Sequence, residues 1–324
     1  MEQPQAWPTT LIETIRHFTD ADACMDFMVR LRWPNRVIVC PHCGRNDPRY
    51  LANARVWECR NKHPRKKFSL KTGTIFEDSP IGFDKWLPAM WMLANDKNGI
   101  SSYELARALG VTQKTGWFML SRIRLAMQQG SFELSGEVEV DETFIGGKAR
   151  NMHINRRQTK IKGTGGTGKA IVLGLLERHG KVQTVVVPTT KRGSLEPHVR
   201  AGVSAGATVY TDALKSYNGL DADYVHHVIA HAERYVDGHV HTNHIENFWA
   251  LLKRALGGTY ISVEPFHLHR YLAEEAFRFN EREGSDLGRF VKVVSAVEGK
   301  RLTYKKLTGK TDLDSLRGAE SVGA

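Results

Sequence analysis

Cysteine is scarce in this sequence, and long apolar runs are missing. Only 4 cysteines occur among 324 residues, which excludes the dense disulfide framework of small secreted domains. No apolar run approaches the roughly 20 residues that a membrane-spanning helix needs. The N-terminal stretch MEQPQAWPTTLIETIRHF lacks the basic start and apolar segment of a secretion signal. These absences predict a cytoplasmic protein that does not associate with membranes.

Acidic residues are also in deficit. Lys and Arg number 46 against 35 Asp and Glu, which gives a formal net charge of +11. A surplus of this sign attracts polyanions, so nucleic acid is the first partner to consider, with a merely soluble basic protein as the alternative. The basic residues cluster at positions 65–67, at Arg156 and Arg157, and at positions 305–306. Their separation favours a DNA track that crosses several modules.

Three of the cysteines lie close together in a pattern typical of a metal site. Two thiolates three positions apart can hold one ion, and a Cys-x3-His pair follows, so the predicted zinc ligands are Cys40, Cys43, Cys59 and His63. Four protein ligands close the coordination sphere, which predicts a structural zinc in a ribbon too small to build its own core. His42 is the rival fourth ligand, and reduced buried cysteines beside an incidental histidine are the alternative. Cys24 lies outside the pattern and is predicted to be a core residue.

A helical segment follows the ribbon, from Phe83 to about Gln129. Within it, residues 101–112 have the form of a capped helix that stops at a glycine, and a second helix begins after Thr112 with Lys114 on its first exposed turn. This is the shape of a helix-turn-helix, whose second helix offers side chains to the major groove. Arg122 and Arg124 on the second helix favour DNA, and a plain helical linker domain is the alternative.

After residue 130 the pattern changes from helical to alternating. The first predicted strand has Val138 and Val140 on one face and its acidic residues on the other. Two more strands, a helix, a fourth strand ending at Asp212, a further helix and a fifth strand complete the element order of an RNase H-like fold. If the first and fourth strands pair, the carboxylates of Asp141 and Asp212 come together.

A third carboxylate, Glu246, lies on an amphipathic helix. Asn243, Glu246 and Lys253 fall on one side of it, so Glu246 can face bound metals while Lys253 reaches the DNA. Clustered carboxylates suit Mg²⁺ or Mn²⁺, because two such ions about 3.5 to 4 Å apart can activate the attacking oxygen and stabilise the leaving one in phosphodiester displacement. Surface acids at strand ends are the alternative. His241 or His244 could act near this site.

Residues 20–275 resemble bacterial insertion-sequence transposases of the ISXO type, which carry a zinc ribbon and a DDE catalytic domain. The resemblance rests on the ribbon cysteines running into FSLKTGTIF, on VDETF followed by Gly146, Gly147 and Lys148, on YTDA at 210–213, and on NHIENFW followed by LLK. It implies Mg²⁺-dependent strand cleavage at transposon ends, followed by attack of the freed 3′-OH on target DNA. Two departures stand out: the expected fourth ribbon cysteine is absent, with His63 displaced by one place, and Asn is the third catalytic residue in some relatives. Asn243 or Asn247 could therefore share or replace the role of Glu246.

Together these patterns predict an α/β RNase H-like catalytic domain, a mixed sheet with flanking helices, preceded by a zinc ribbon and a helix-turn-helix domain. The expected domains are an N-terminal helix and ribbon at 1–80, the helix-turn-helix at 81–130, the catalytic domain at 131–285, and a basic, partly disordered extension at 286–324. The predicted DNA contacts are Lys114, Lys148, Arg156, Arg157, Asn243 and Lys253.

The predicted function is that of a transposase on double-stranded DNA, acting as a homo-oligomer, at least a dimer on DNA, in the bacterial cytoplasm beside the nucleoid. A DNA-binding regulator whose acids are structural is one alternative. A non-mobile nuclease of the same fold, which cuts without joining, is the other.

Overall fold

A computed structural model of the chain describes residues 7–147, 154–155, 168–229 and 241–309. These residues form two compact units, one from the described parts of Met1–Met127 and Gly284–Ala324, the other from those of Gln128–Glu283. Three of the predicted DNA contacts, Lys148, Arg156 and Arg157, lie outside the described residues. Within the described ranges, every helix is too short or too polar to cross a membrane.

The first unit combines short helices with a small antiparallel sheet of order β1-β2-β3. Its elements are α1 (Leu11–His17), α2 (Ala21–Arg32), β1 (Arg49–Leu51), β2 (Val56–Glu58), β3 (Lys67–Phe68), α3 (Phe83–Asn95), α4 (Ser102–Leu109), α5 (Gln113–Met127), α9 (Asp286–Ser295) and α10 (Tyr304–Leu307). The rings of Trp57 and Phe68 stack across β2 and β3 with centroids 6.0 Å apart. The two buried rings form an apolar face on the small sheet.

The boundary between α4 and α5 follows from local hydrogen bonding. The Ser101 hydroxyl accepts a bond from the Glu104 backbone N–H, and the Glu104 carboxylate accepts one from the Ser101 backbone N–H, so a capping box begins α4. Gly110 ends the helix in the left-handed region at φ 60°. The Thr112 hydroxyl then accepts a bond from the Thr115 N–H at the start of α5. Two helices therefore flank Gly110, as the sequence predicts.

The segment after residue 285 is predicted from the sequence as a basic, partly disordered extension. Through residue 309 it packs into the first unit, because α9 buries an apolar face. The Phe290 ring stacks on Phe27 with centroids 5.6 Å apart and lies 5.2 Å from the Trp91 ring. Residues 310–324, which include the predicted tail, lie outside the described part of the chain.

The second unit is a mixed five-stranded sheet of order β6-β5-β4-β7-β8 with flanking helices, which confirms the predicted α/β class. Its elements are β4 (Glu137–Ile145), β5 (Ala170–Glu177), β6 (Val182–Val187), α6 (Arg192–Gly202), β7 (Thr208–Asp212), β8 (Val225–Ile229), α7 (Asn243–Arg254) and α8 (Leu268–Asn280). β4, β5 and β6 are antiparallel neighbours, whereas β7 and β8 run parallel to β4. The helix predicted between β7 and β8 is replaced by two 3₁₀ turns, Lys215–Tyr217 and Leu220–Ala222.

The two faces of this sheet have separate cores. Val138 and Val140 pack with the side chains of α6 on one face. On the other face, Val172 packs with Ile245 and Phe248 of α7. Because successive side chains of a strand point to opposite faces, the odd-numbered acidic residues of β4 lie on the face that α7 covers.

Candidate active site

Asp141 lies in the middle of β4, the central strand of the sheet. It pairs with Gly174 of β5 on one side. On the other side β4 is parallel to β7, with Glu139 opposite Tyr210. Continuing that register by two residues brings Asp141 beside Asp212, the last residue of β7. The carboxyl end of β7 therefore lies next to the middle of β4, as the proposed pairing of the two aspartates requires.

The environment of Asp141 disfavours its charge. The side chain is half-buried, and its Oδ2 accepts a hydrogen bond of 2.9 Å from the Trp249 indole Nε1 of α7. Burial raises the pKa of Asp141 to about 6, the hydrogen bond from Trp249 opposes this shift, and the negative charges of Asp212 and Glu246 add to it. The charges of the three predicted carboxylates thus act on one another in the folded protein.

Glu246 lies on the exposed side of α7, in its first turn. Its Oε1 accepts a bond of 3.3 Å from the Thr242 hydroxyl. Asn243, Asn247 and Lys253 are exposed on the same helix, as a surface for DNA requires. The oxygens of Asp141, Asp212 and Glu246 do not all lie within 4.8 Å of one another, unlike the ligand atoms of two other groups in the described part of the chain. Asp141 and Asp212 therefore lie on paired strands, and Glu246 on α7 acts on Asp141 through its charge.

Glu142 is a further acidic residue beside this site. As the neighbour of Asp141 on a strand, it points to the opposite face of the sheet, where its Oε2 accepts a bond of 2.6 Å from the Tyr217 hydroxyl. Burial raises the pKa of Glu142 to about 7, with Asp212 and Asp141 adding to the shift. Sequence reasoning did not single out Glu142, although its place directly after Asp141 was a visible signal.

A second group of potential ligands lies at the start of α7 and consists of Glu139, His241 and His244. Glu139 is fully buried, and its carboxylate forms an ion pair with Arg178 at 2.9 Å. The alternating pattern of β4 placed Glu139 on the face of Asp141. The sequence did not indicate that α7 covers it.

The predicted zinc ligands converge in the first unit. The ligand atoms of Cys40, Cys43, Cys59 and His63 all lie within 4.8 Å of one another. The Cys43 and Cys59 sulfurs are 3.5 Å apart, and the Cys40 sulfur is 3.6 Å from His63 Nε2. A tetrahedral zinc with Zn–S bonds of about 2.3 Å holds its sulfurs roughly 3.8 Å apart. The four residues therefore fit a zinc ion.

The remaining cysteine and the rival histidine have other surroundings. Cys24 is buried, and its thiol donates to the Phe18 carbonyl oxygen at 3.2 Å, which agrees with the predicted core position. His42 is outside the group of four converging ligands, and its ring contacts the ring of His63. Within the described ranges, His63 rather than His42 completes the set with the three cysteines.

The cationic residues of α5 differ from the prediction. Lys114 is exposed on the first turn, with its ammonium 5.1 Å from the centre of the Tyr304 ring. Arg122 and Arg124 are buried, and the Arg122 guanidinium stacks on the Phe118 ring at 4.3 Å. The expectation that both arginines strengthen a DNA-facing surface of this helix is therefore wrong, since they face the interior of the first unit.

Comparison with known proteins gives consistent similarities. Residues 133–280 match the ISXO2-like transposase domain, and residues 19–61 match the transposase zinc-ribbon domain. A protein in transposable element ISH50 of Halobacterium salinarum is 27% identical over 284 residues, covering 82% of this chain and 94% of the relative. A transposase-like protein of Haemophilus influenzae is 38% identical over 104 residues, covering 32% of this chain and 84% of the relative.

Proposed function

The chain belongs to the family of ISXO2-like transposases of insertion sequences, and we propose from this premise that it cleaves DNA strands at the ends of such an element and joins the freed 3′-OH ends to target DNA. The observation that supports the proposal is that Asp141 and Asp212 lie on paired strands and that the charges of Asp212 and of Glu246 on α7 act on Asp141. The strand order, with three antiparallel strands followed by two parallel ones, supports an RNase H-like fold for this unit.

Asp141, Asp212 and Glu246 would hold divalent metal ions, Mg²⁺ or Mn²⁺. Carboxylate oxygens are the ligands that these ions prefer. Burial is the main cause of the raised pKa of Asp141, and a cation would neutralise the negative charges of Asp212 and Glu246 that add to it. When bound, the ions would activate the attacking oxygen and stabilise the leaving one in phosphodiester displacement. Asp141 stays oriented through its bond from Trp249, and Glu246 approaches from α7. The exposed side chains of Asn243 and Lys253 would contact DNA, and Asn243 or Asn247 remains an alternative third ligand.

The first unit would bind the ends of the element. We assign zinc to Cys40, Cys43, Cys59 and His63, where it would hold the ribbon together. The two helices that flank Gly110 would act as a helix-turn-helix, with Lys114 at the DNA end of α5. Lys148, Arg156 and Arg157 would add further contacts to the DNA backbone. The protein would assemble as at least a dimer on DNA and would be located beside the bacterial nucleoid.

The test is the variant Asp141→Asn, assayed on a duplex carrying the terminal repeat that flanks the gene. We expect metal-dependent strand cleavage to be lost, because the variant removes a ligand charge, and end binding to stay nearly unchanged in a gel-shift titration. The matched control is Glu137→Gln, an exposed carboxylate on the same strand and face, which should cleave within a few-fold of the wild type. Cleavage by Asp141→Asn at the wild-type rate would contradict the assignment.

Two other functions give different outcomes in the same assays. A DNA-binding regulator would bind end DNA and show no metal-dependent nicking. A non-mobile nuclease would nick without transferring strands, and its gene would lack flanking inverted repeats. The membership in a transposase family favours cleavage with joining over both.

A further inference from the structure

Glu139 is completely buried between β4 and the first turn of α7. Its Oε2 accepts hydrogen bonds from the backbone N–H groups of His244 and Ile245, at 2.9 and 3.0 Å. Its Oε1 accepts from the Arg178 guanidinium Nε at 2.9 Å and lies 2.8 Å from His244 Nδ1. Both oxygens of this buried carboxylate therefore have partners, and three of the four contacts go to residues in the first turn of α7, two of them to backbone N–H groups.

These bonds replace a cap that α7 lacks. The N-cap residue, Thr242, makes no side-chain hydrogen bond to the helix backbone. The first N–H groups of a helix need acceptors, and a negative charge there is favourable because of the helix dipole. Glu139 supplies both from a different element, so the start of α7 is fastened to β4 rather than capped locally.

The hydrogen bonds of Glu139 to α7 lie two residues away from the predicted metal ligands on each element. Asp141 follows Glu139 by two residues on the same face of β4, and Glu246 follows His244 by two residues on α7. One turn further along α7, Trp249 donates to Asp141. Two contacts therefore hold α7 against the central strand: the bonds that Glu139 accepts from His244 and Ile245, before Glu246 in the sequence, and the bond from Trp249 to Asp141, after it.

Arg178 neutralises the buried charge and extends the bridge. Its side chain is only 6% exposed. It donates to the His241 carbonyl oxygen at 2.6 Å, just before α7, and lies over the Tyr210 ring at 3.9 Å. A buried carboxylate that is paired and fully hydrogen-bonded is tolerated, whereas removal of one partner leaves an uncompensated charge.

A second use of these residues is a metal site, because ligand atoms of Glu139, His241 and His244 lie within 4.8 Å of one another. The contacts favour the bridge. Both oxygens of Glu139 already accept hydrogen bonds, and the guanidinium of Arg178 is the cation beside it. A metal ion there would have to displace these donors and meet a buried positive charge.

We propose that Glu139 is a positioning residue of the transposase: it fixes α7 on β4 so that Glu246 faces Asp141 at the spacing that the bound metals require. The inference rests on the proposed function. Glu139 itself contacts neither metal nor DNA and acts through the helix.

The experiment compares Glu139→Gln with Glu137→Gln in the full-length protein. Glutamine keeps the shape of the side chain, but its amide group donates where Glu139 accepts. Glu137 is the matched control, because it lies two residues earlier on the same face, contacts Arg178 at 3.3 Å and accepts a hydrogen bond of 2.5 Å from the Tyr210 hydroxyl of β7. Three quantities are measured: hydrogen exchange at the His244 and Ile245 amides, Mn²⁺ binding by paramagnetic resonance, and cleavage as a function of Mn²⁺ concentration.

For Glu139→Gln we expect faster exchange at both amides and weaker Mn²⁺ binding, with the cleavage rate at saturating DNA reduced by about 10–100-fold, as for residues that orient metal ligands. End-DNA affinity and the values for Glu137→Gln should stay near those of the wild type. Cleavage by Glu139→Gln with unchanged Mn²⁺ dependence, despite faster amide exchange, would overturn the proposal. So would a stoichiometric zinc, beyond that of the ribbon, lost from Glu139→Gln alone.

Failure of the proposed function gives a different result, since Asp141→Asn would then retain cleavage, whereas amide exchange still reports the bridge. If Glu139→Gln does not fold, Arg178→Lys serves instead. Lysine keeps the charge but cannot reach Glu139 and the His241 carbonyl oxygen together. It should shift the same three quantities in the same direction by smaller amounts, and wild-type values of all three would contradict the positioning role.

Discussion

Asp141 carries its charge at a cost to the folded protein. Its pKa is about 6 in the folded state against an ordinary 3.8, so the folded state holds its proton more tightly than the unfolded state does. Ionisation of Asp141 therefore lowers the free energy of unfolding. This loss of stability is absent below pH 3.8, grows as the pH rises between the two values, and reaches its full size above pH 6. A residue retained under such a cost is a candidate for a functional role.

The variant Asp141→Asn should therefore be more stable than the wild type when no Mg²⁺ is present. At pH 8 we expect a gain of roughly 1–3 kcal/mol in the free energy of unfolding, because one unit of pKa shift corresponds to about 1.4 kcal/mol. The gain should shrink as the pH falls below 6 and should vanish well below pH 3.8, where Asp141 is protonated in both states. Thermal unfolding of both proteins at several pH values, in zinc-containing buffer, measures it.

Addition of Mg²⁺ provides the internal check on that result. The ion should stabilise the wild type and leave Asp141→Asn nearly unchanged, since ligand binding to the folded state alone raises stability. Glu137→Gln should behave like the wild type throughout. A stability gain that is equal at pH 5 and pH 8 would show that the charge of Asp141 is not its cause.

At this scale, the sequence predicts residues whose chemistry is visible in local spacing. Cys40, Cys43 and Cys59 converge as their spacing indicated, and Asp141 and Asp212 fall on paired strands as expected. Arg122 and Glu139 could not be assigned in the same way, because their roles depend on which element covers them. A basic residue on a helix is exposed or buried according to tertiary packing, which spacing along one helix does not determine.

At the scale of the element, α7 approaches the sheet very closely at Gly174. A Cβ added to Gly174 would lie 2.6 Å from Trp249 Cζ2 and 2.9 Å from Ile245 Cδ1. Both side chains are buried, so neither can move away freely. Glycine at this position of β5, opposite Asp141, is what allows the helix to reach the central strand.

The variant Gly174→Ala should push α7 away from β4. We expect a loss of about 1–3 kcal/mol of stability from overpacking, measured by chemical denaturation. Cleavage should fall more than end binding, since displacement of Trp249 disturbs Asp141. Gly130→Ala is the control, because a Cβ at that exposed glycine has no neighbour within 4 Å. Equal cleavage by the two variants would contradict the close approach of α7.

Elements with strong local signals were predictable, and those that depend on chain geometry were not. The capping box at Ser101 and Glu104 and the stop at Gly110 are complete in the local sequence, so α4 and the start of α5 followed from it. The connection from β7 to β8 was predicted as a helix, but residues 213–224 form two 3₁₀ turns with Gly219 between them. Glycine has a low helix propensity, and its place in the middle of this connection disfavours a regular helix.

At the scale of the whole molecule, the first unit is discontinuous in sequence. Residues 284–309 return to helices formed near the N-terminus, with α9 packed against α2 and α3. Residues 286–324 were predicted as a basic, partly disordered extension, and nothing in their sequence identifies the partner of α9. Contacts between segments this far apart in the sequence depend on the three-dimensional fold. The sequence alone therefore did not indicate that residues 284–309 join the N-terminal unit.

Phe290 allows a test of the packing of α9 against α2 and α3. Its ring is fully buried and contacts the rings of Phe27 and Trp91, so Phe290→Ala should cost about 3–5 kcal/mol through lost burial and a cavity. The loss should appear by calorimetry and hydrogen exchange in the first unit, including α2 and α3, while exchange in β4 and β5 stays as in the wild type. Phe266→Ala, in the second unit and 51% exposed, controls for loss of an aromatic ring and should be nearly neutral. Unchanged exchange in α2 and α3 of Phe290→Ala would mean that the C-terminal helices do not stabilise the N-terminal unit in solution.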